Sequence, residues 1–398
     1  MTSATPGQVP AVAMAGPRPD LLEGYLAECR GLVLDEIRRI VPADSSTSGR
    51  LYELMLDYPL RDAKALRPAL AIATCRALGG RLSSVLRSAA VLELYHNAFL
   101  IHDDVEDESL LRRRSATLHR THGVPIAVNV GDGMLALALT PLLDNMDLLG
   151  MGKALRILQE VGAMARASAE GQAMELDWIR SGCPSFEDRR YLHMIYKKSA
   201  WYTFVTPMAV GSIAAGAPGS LSRRLRWFAV QLGLAFQIQD DVLNLVGEQQ
   251  AYGKEIDGDL WEGKHTLILM HAMRRASSTD RRRASSILAK RRPLGEAPAS
   301  FARLLAQLEA EGHLDATARQ RLLQGQEAQG AAFRTQEDVA FLRRLIEDAK
   351  SIGYCRQAAR RRARHARGLL ATALAGRAAS VHSEFLESLV GFVVERDR

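Results

Sequence analysis

Cysteine is scarce in this 398-residue chain, and its placement excludes two kinds of small stabilised module. None of the four cysteines forms a CxxC pair or a Cys/His group with the spacing of a zinc site. They are Cys29, Cys75, Cys183 and Cys355. A protein stabilised by disulfide bonds or by structural zinc is therefore excluded, and four reduced thiols in a cytoplasmic protein are expected.

Long apolar runs are missing as well. No stretch of 18 apolar residues is free of charge, so no transmembrane helix is predicted. Residues 1–18 lack a basic segment followed by an apolar one, and they are interpreted as a flexible leader rather than a signal peptide. No repeat or clear linker follows, so residues 19–398 are expected to form a single domain.

Aromatic residues make up only 6% of the chain, whereas helix-forming residues dominate it. Apolar residues recur at steps of three and four over 21–40 and again over 225–243, which is the period of an amphipathic helix. The predicted fold class is all-α. Breaks rich in glycine or polar residues predict loops, and residues 293–336 are predicted to form a surface insertion. The predicted loops are 45–49, 79–80, 216–219 and 247–263.

The basic excess of the chain is confined to its C-terminal third. Lys and Arg number 52 against 45 Asp and Glu, but residues 270–398 hold 24 against 14 and residues 1–269 hold 28 against 31. The arginine-rich run at 360–367 would suit nucleic acid, yet it has helical Ala/Leu spacing and no interleaved aromatics. A solvated helix face is the preferred interpretation, with no nucleic-acid partner. Weak attraction to an anionic membrane surface is kept as an expectation.

An apolar run that begins near Glu93 ends in a cluster of acidic residues. Asp103, Asp104, Glu106 and Asp107 fall within five positions, and Asp103 and Asp107 share a helix face because they are four apart. Like charges at this spacing repel each other. A hard divalent cation such as Mg²⁺ would turn that repulsion into attraction, since carboxylate oxygens are its preferred ligands.

A second acidic cluster repeats the pattern at Asp240, Asp241 and Asn244, again after an apolar run. One acidic patch is usually a solvated surface. Two clusters of the same form predict facing helices whose ends converge on bound Mg²⁺.

Basic residues flank both clusters. Metal-bound carboxylates combined with arginine forks and lysine charges are the chemistry of diphosphate binding. The flanking residues are Lys64, Arg67, Arg112, Arg113, Arg114, Lys197, Lys198, Lys254 and Lys264.

These ordered motifs resemble those of the trans-isoprenyl diphosphate synthases, the polyprenyl synthetase family. Asp103–Asp107 is similar to the first aspartate-rich motif of the family, DDxxD, and Asp240–Asn244 to the second in its DDxxN form. Five further signatures follow the family order: the Lys64/Arg67 block, Arg112-Arg113, Gly171-Gln172, Lys198-Ser199 and the stretch from Lys254 to Lys264. The resemblance covers about residues 50–270 and resumes weakly at 337–398. It implies one large bundle of ten or more helices around a central cavity, and a homodimer.

The resemblance implies a Mg²⁺-dependent condensation of isopentenyl diphosphate with an allylic diphosphate such as dimethylallyl, geranyl or farnesyl diphosphate. Three Mg²⁺ ions are expected on Asp103, Asp107 and Asp240, with Asp104 and Asp241 in support. The released diphosphate is the expected proton acceptor.

Substrate-binding roles carry over from the family position by position. The isopentenyl diphosphate is expected to bind to Lys64, Arg67, His96 and Arg113. His96 can equally be interpreted as an ordinary histidine of the core. The allylic diphosphate is expected on Arg112, Lys198, Ser199, Gln237, Lys254 and Lys264, and Lys198 is also counted among the catalytic residues.

Product length in this family depends on bulk before the first aspartate-rich motif, here Tyr95, Ala98 and Phe99. The small Ala98, together with Asn244 in the second motif, favours the twenty-carbon geranylgeranyl diphosphate. Phe99 would obstruct a tail that it faced, so farnesyl diphosphate is the alternative. Tyr95, which lies further from the motif, would stop a growing prenyl chain at a greater depth.

The sequence departs from the family pattern after the arginine pair, where Arg114 and Ala116 replace the usual Gly and Pro. An inactive synthase subunit draws its support from these departures alone. A class I terpene cyclase is disfavoured by the Asp240-Asp241 pair and by the Lys64/Arg67 block for a second diphosphate.

Overall fold

The computed structural model describes residues 19–42, 49–247, 256–292, 297–322 and 333–395. Nearly all regular structure within these ranges is helical, as the three- and four-residue apolar period predicts. The all-α prediction is confirmed.

Ten α-helices precede the helix that carries the second aspartate-rich segment. They are α1 (Pro19–Ile40), α2 (Gly49–Leu60), α3 (Leu66–Ala77), α4 (Leu86–Glu106), α5 (Leu118–His122), α6 (Val124–Leu137), α7 (Leu139–Leu149), α8 (Met151–Ser181), α9 (Asp188–Ile195) and α10 (Thr206–Ala214). The later helices are α11 (Gly219–Val246), α12 (Gly258–Glu262), α13 (Leu267–Arg275), α14 (Ser278–Leu288), α15 (Ala297–Ala310), α16 (Gln336–Asp348), α17 (Ser351–Leu374) and α18 (Val381–Glu395).

Three smaller elements complete the fold. A π-helix, Tyr196–Val205, joins α9 to α10 without a break, and a 3-10 turn covers Leu82–Ser84. Strands β1 (Leu111–Arg112) and β2 (Ser115–Ala116) pair antiparallel as a short hairpin.

The predicted loops agree with the structure at two places and disagree at a third. Residues 79–80 separate α3 from the 3-10 turn, and α11 begins at Gly219. The predicted loop at 247–263 is wrong for Gly258–Glu262, because Asp257 takes a left-handed conformation there and starts the short helix α12. Within the predicted insertion, α15 and residues 316–322 are helical. The leader at 1–18 lies outside the described residues.

Two helices form the centre of the molecule. Every residue of α4 from Ser88 to Ala98 is buried, which is typical of a helix with neighbours on all sides. Helix α11 packs along α17 and against the π-helix. Buried apolar side chains from α1 to α18 form one continuous cluster around them.

A cavity of about 450 Å³ lies among α3, α4, the π-helix and α11. Both aspartate-rich segments reach it, because α4 and α11 carry them near their carboxyl ends. The central cavity that the resemblance implies is therefore present.

One helical stretch, Val124–Leu149, is long and apolar enough to cross a membrane by length and composition, with a mean hydropathy of 1.6. It is divided at Ala138 into α6 and α7, and it buries Val130, Met134 and Leu142 in the core. A core helix satisfies the same criteria, so the absence of a spanning helix stays a prediction. The expected cytoplasmic location and membrane-surface attraction also stay predictions.

Candidate active site

The first aspartate-rich segment lies at the end of α4, with Asp103 in the last turn and Asp107 directly after it. The Nζ atom of Lys198 lies 3.3 Å from Oδ1 of Asp103. The Nζ atom of Lys264 lies 2.7 Å from Oδ2 of Asp107. Two of the carboxylates predicted to bind metal are therefore held by two lysines predicted to bind diphosphate.

Each of these lysines also meets a second carboxylate. Lys198 pairs with Glu175 of α8, and Lys264 lies 2.6 Å from Glu262. Burial opposes the charge on Lys198, but Asp103 and Glu175 outweigh it and raise its pKa above the usual value. The pKa of Lys264 is raised well above its usual value in the same way, by Asp107 and Glu262 against burial. Both lysines are charged at neutral pH.

Asp104, the middle aspartate of the first motif, is fully buried and is not among the described lining residues of the cavity. The Arg112 guanidinium binds both of its carboxylate oxygens, and the Tyr58 hydroxyl donates to Oδ2 over 2.7 Å. Arg112 lines the cavity but turns its fork to Asp104, so its predicted contact with the allylic diphosphate stays a prediction. The Asp104–Arg112 pair ties the hairpin to the end of α4.

The second aspartate-rich segment has a similar arrangement. Asp240 and Asp241 both line the cavity, but Asp241 is buried and hydrogen-bonded to neighbouring side chains. Asp241 accepts from the Tyr191 hydroxyl over 2.6 Å and from Gln237 Nε2 over 3.0 Å. Burial raises the pKa of Asp241 to about 7, against these two hydrogen bonds. The last residue of the motif, Asn244, accepts from the Asp259 backbone N–H over 3.1 Å and so anchors the start of α12.

A wall of cations and aromatic rings also lines the cavity. Arg67 donates to the Thr203 hydroxyl over 2.9 Å and stacks its guanidinium 4.4 Å from the Tyr202 ring centroid. The Lys64 ammonium lies 5.5 Å from the ring centroid of Phe392 in α18. These contacts fix the positions of Lys64 and Arg67, two of the residues predicted to bind isopentenyl diphosphate, at the cavity.

The same wall contains residues in left-handed backbone conformations. Ala65 has φ 49°, and Arg113 and Arg114, the two turn residues of the hairpin, have φ 50° and 64°. A tight hairpin requires positive φ at both turn positions, which glycine or asparagine adopts most easily. A non-glycine residue costs roughly 1–2 kcal/mol there. This explains why glycine would suit the position of Arg114, and it shows backbone strain beside residues that are predicted to bind substrate.

The π-helix supplies four residues to the cavity: Lys198, Ser199, Tyr202 and Thr203. Hydrogen bonds from i to i+5 widen its turn, and such segments occur frequently at functional sites. Helix α8 approaches it so closely at Gly171 that a β-carbon would collide with the Lys198 backbone. This contact explains the glycine of the Gly171-Gln172 signature, and it brings Glu175, one turn further along α8, onto Lys198.

The cavity brings together most of the residues that the sequence singles out. They are Lys64, Arg67, His96, Asp103, Arg112, Arg113, Lys198, Ser199, Gln237, Asp240, Asp241 and Lys264. Lys254 lies outside the described residues. Tyr95, Ala98 and Phe99 are not among the described lining residues. Phe99 instead packs edge-to-face against Tyr95 and Tyr202, with ring centroids 5.9 Å and 5.6 Å away.

Sequence reasoning missed four residues that hold the site together: Tyr58, Glu175, Tyr191 and Phe392. Glu175 had a usable signal, since it lies one helical turn after Gly171. The other three come from distant parts of the chain, and no local pattern marks them.

The donors near the cavity fit a hard divalent cation. Asp103, Asp107 and Asp240 offer carboxylate oxygens, the ligands that Mg²⁺ prefers. Among the described residues, no group of three or more His, Cys, Asp or Glu side chains is already gathered around one point. Lysine pairing explains this for Asp103 and Asp107, whose oxygens face ammonium groups.

Comparison with known proteins agrees with this geometry. A short chain isoprenyl diphosphate synthase of Methanocaldococcus jannaschii is 32% identical over 257 residues, covering 64% of this chain and 74% of the relative. An octaprenyl diphosphate synthase of Haemophilus influenzae is 33% identical over 257 residues, covering 62% and 75%. The crystal structure of a polyprenyl synthase from Caulobacter crescentus, complexed with calcium and isoprenyl diphosphate, matches with a TM-score of 0.70 at 26% identity, covering 97% of this chain and all of that one.

The fold is therefore that of the isoprenyl diphosphate synthases. The sequence pattern described as polyprenyl synthetase matches residues 49–306. The chain belongs to the polyprenyl synthetase family of trans-prenyltransferases.

The neighbouring residues Lys197 and Lys198 each pair with a glutamate of α8, and removing each glutamate in turn gives a matched test of the buried network. Glu175→Gln should lower the free energy of unfolding by about 2 kcal/mol, because it removes one carboxylate from the buried Lys198 ammonium. Glu170→Gln, which removes the exposed partner of Lys197 on the same two elements, should cost distinctly less, because water screens that pair. Urea unfolding of both variants measures the difference, and equal losses would contradict the role given to Glu175.

Proposed function

We propose that this protein is a Mg²⁺-dependent prenyltransferase that joins isopentenyl diphosphate head-to-tail to allylic diphosphates. The observation that carries the proposal is the convergence of Asp103 and Asp240 on one cavity that several cationic side chains also line. Lys198 and Lys264 pair with carboxylates of the first motif, and we propose Lys64, Arg67 and Arg113 as a second set. We propose that the first set binds the allylic diphosphate and the second set binds isopentenyl diphosphate.

The site residues fit the division of labour in this reaction. Bound Mg²⁺, for which we propose three ions on Asp103, Asp107 and Asp240, supplies Lewis-acid stabilisation of the departing diphosphate. A related polyprenyl synthase is complexed with calcium and isoprenyl diphosphate, which supports a divalent metal here. Lys198 and Lys264 can turn from their carboxylates to the diphosphate oxygens, where their charge stabilises the leaving group.

The bonds made and broken follow from this arrangement. The allylic carbon–oxygen bond breaks and its electron pair leaves with the diphosphate. The double bond of isopentenyl diphosphate, held by Arg67 and Arg113, attacks the allylic cation and forms the new carbon–carbon bond. A proton is then lost, and we propose the released diphosphate as its acceptor.

Two other functions fit the structure less well. A class I terpene cyclase handles one diphosphate, and the Lys64, Arg67 and Arg113 wall would have no ligand in it. An inactive subunit would not need the retained pairs of Asp103 with Lys198 and Asp107 with Lys264.

The reaction class is tested with the purified chain, isopentenyl diphosphate, each allylic primer and Mg²⁺. Asp103→Asn and Asp240→Asn should each lower kcat by about 10²-fold or more, because each removes a carboxylate from the diphosphate-binding centre. Asp177→Asn, at an exposed position of α8, is the control and should keep full activity. Full turnover in excess EDTA, or unchanged rates in both variants, would contradict the proposal.

Within this reaction class we propose geranylgeranyl diphosphate as the product, with farnesyl diphosphate as the alternative. Ala98 leaves little bulk in the turn before the first motif, and Asn244 gives the second motif its DDxxN form. The cluster of Tyr95, Phe99 and Tyr202 favours a shorter product, since Tyr202 lines the cavity and Phe99 packs against it. The relatives range from short-chain to octaprenyl synthases and leave the length open.

Phe99→Ala should shift the product to longer chains, because it removes the ring that supports Tyr202 at the cavity wall. Chromatography of the dephosphorylated products measures the distribution. Phe186→Ala, in the loop before α9, is the control and should leave it unchanged. A dominant fifteen-carbon alcohol from the native chain would rule out geranylgeranyl diphosphate, and an unaltered distribution in Phe99→Ala would place Phe99 in the core alone.

We also propose a homodimer that buries the apolar face shared by α6, α7 and the start of α8. Large exposed apolar side chains collect there, and contiguous patches of this kind mark interaction sites. They are Val124, Ile126, Val128, Leu139, Leu143, Leu148, Met151 and Leu155.

Leu143→Asp should convert the dimer to a monomer, because it places a charge within the apolar face. Val381→Asp, at a similarly exposed position on α18, should leave the dimer intact. Light scattering after size-exclusion chromatography gives the mass of each variant. A native chain that elutes as a monomer at micromolar concentration would contradict the proposal.

A further inference from the structure

A second cavity, of about 260 Å³, lies where α9, α11, α13 and α17 meet, and we call it the rear cavity. Its apolar walls are Leu192, Ile238, Leu267 and Ala358, and its polar walls are Asp188, Gln231, Arg361, Arg362 and His365. Helices α9 and α11 separate it from the active site, because their neighbouring residues Tyr191, Gln237 and Asp240 line the central cavity instead.

The charge around the rear cavity is unbalanced. Arg362 donates to the neutral amide oxygen of Gln231 over 3.1 Å, and within the described residues neither Arg361 nor Arg362 has a carboxylate at ion-pair distance. Burial, and then the neighbouring Arg361, lower the pKa of Arg362. Both effects disfavour its charge, and the attraction of a bound anion would oppose both.

The one carboxylate among the described lining residues is already engaged. Oδ1 of Asp188 lies 2.5 Å from Arg274 Nη1, and the Tyr354 hydroxyl donates to its other oxygen. Helix α17 itself has six arginines and no acidic residue. The rear cavity therefore presents two guanidinium groups and a histidine above an apolar floor, which is complementary to an amphipathic anion.

We propose that the rear cavity is a second ligand site that takes a short prenyl diphosphate. The diphosphate lies on Arg361, Arg362 and His365, and the hydrocarbon chain lies against Leu192 and Ile238. The choice of ligand rests on the proposed function, because a prenyl diphosphate is the amphipathic anion that this enzyme would make and consume. The cavity is smaller than the lower limit of about 300 Å³ for drug-sized pockets, which favours a short chain.

The position of the rear cavity links it to the active site through single residues. Leu192 follows Tyr191, whose hydroxyl binds Asp241, and Ile238 follows Gln237, which binds the same carboxylate. A ligand in the rear cavity therefore contacts the backbone neighbours of both side chains that hold Asp241.

The test is calorimetric titration of the full chain with geranyl diphosphate in EDTA, where turnover does not occur. The native chain should bind geranyl diphosphate at the active-site cations and at the rear cavity. Arg361→Gln/Arg362→Gln should weaken one of these sites by about tenfold or more, since two charge-assisted contacts are lost. Arg356→Gln/Arg360→Gln, with the same charge change on exposed positions of α17 outside the cavity, should bind like the native chain.

The hydrocarbon contact has its own comparison. Inorganic diphosphate should bind the arginine-dependent site more weakly than geranyl diphosphate, and Leu192→Ala should reduce that preference. The proposal is overturned if Arg361→Gln/Arg362→Gln binds geranyl diphosphate like the native chain, or if the Arg356/Arg360 control loses the site equally. Equal binding of both probes would overturn the choice of a prenyl ligand.

This outcome can be separated from that of the proposed function. Arg361→Gln/Arg362→Gln should retain prenyltransferase activity, because neither residue lines the central cavity. Arginine-dependent binding in a chain without prenyltransferase activity would leave the rear cavity standing and refute the proposed function. An active chain with no arginine-dependent site would refute the rear-cavity proposal and leave the proposed function standing.

Discussion

Negative charge gathered near the carboxyl ends of two central helices is the constraint on which the rest of this structure depends. The carboxyl end of a helix already carries partial negative charge, so aspartates at the end of α4 are unfavourable without compensation. Burial adds to the cost, and it raises the pKa of Asp107 to about 7 even though Lys264 opposes the shift. The contacts of Lys198, Lys264 and Arg112 are the response to this cost. They come from the π-helix, the segment after α12 and the hairpin, and so they fix where those elements lie.

The adjacent aspartates of each motif have different partners. Asp104 and Asp241 are buried and bound to tyrosines from other helices, although Asp241 also lines the cavity, whereas Asp103 and Asp240 line the cavity and are less buried. An arginine balances Asp104, but Asp241 has only neutral donors in the described part of the chain. The two motifs look alike in sequence, yet their environments differ in charge.

Periodicity and residue type were enough to predict the helical class, the two acidic segments and most of the cationic residues around them. The reason is that these features depend on local spacing: Asp103 and Asp107 share a face in any α-helix. Contacts between distant positions carry no such signal. Tyr58 reaches Asp104 across 46 positions and Tyr191 reaches Asp241 across 50, and packing alone brings them together. The π-helix was also beyond prediction, because its residues Tyr196–Val205 read as a continuation of the flanking helices.

The pairing of Asp103 with Lys198 and of Asp107 with Lys264 has a thermodynamic consequence. A cation that takes these carboxylates leaves each of two buried ammonium groups with one carboxylate instead of two, Glu175 for Lys198 and Glu262 for Lys264. A diphosphate that takes the ammonium groups leaves Asp103 and Asp107 without their lysines. Binding of either ligand thus raises the affinity of the site for the other. By thermodynamic linkage the two affinities rise by the same factor. If metal and diphosphate bind these residues as proposed, they are cooperative ligands, and the internal ion pairs compete with both of them.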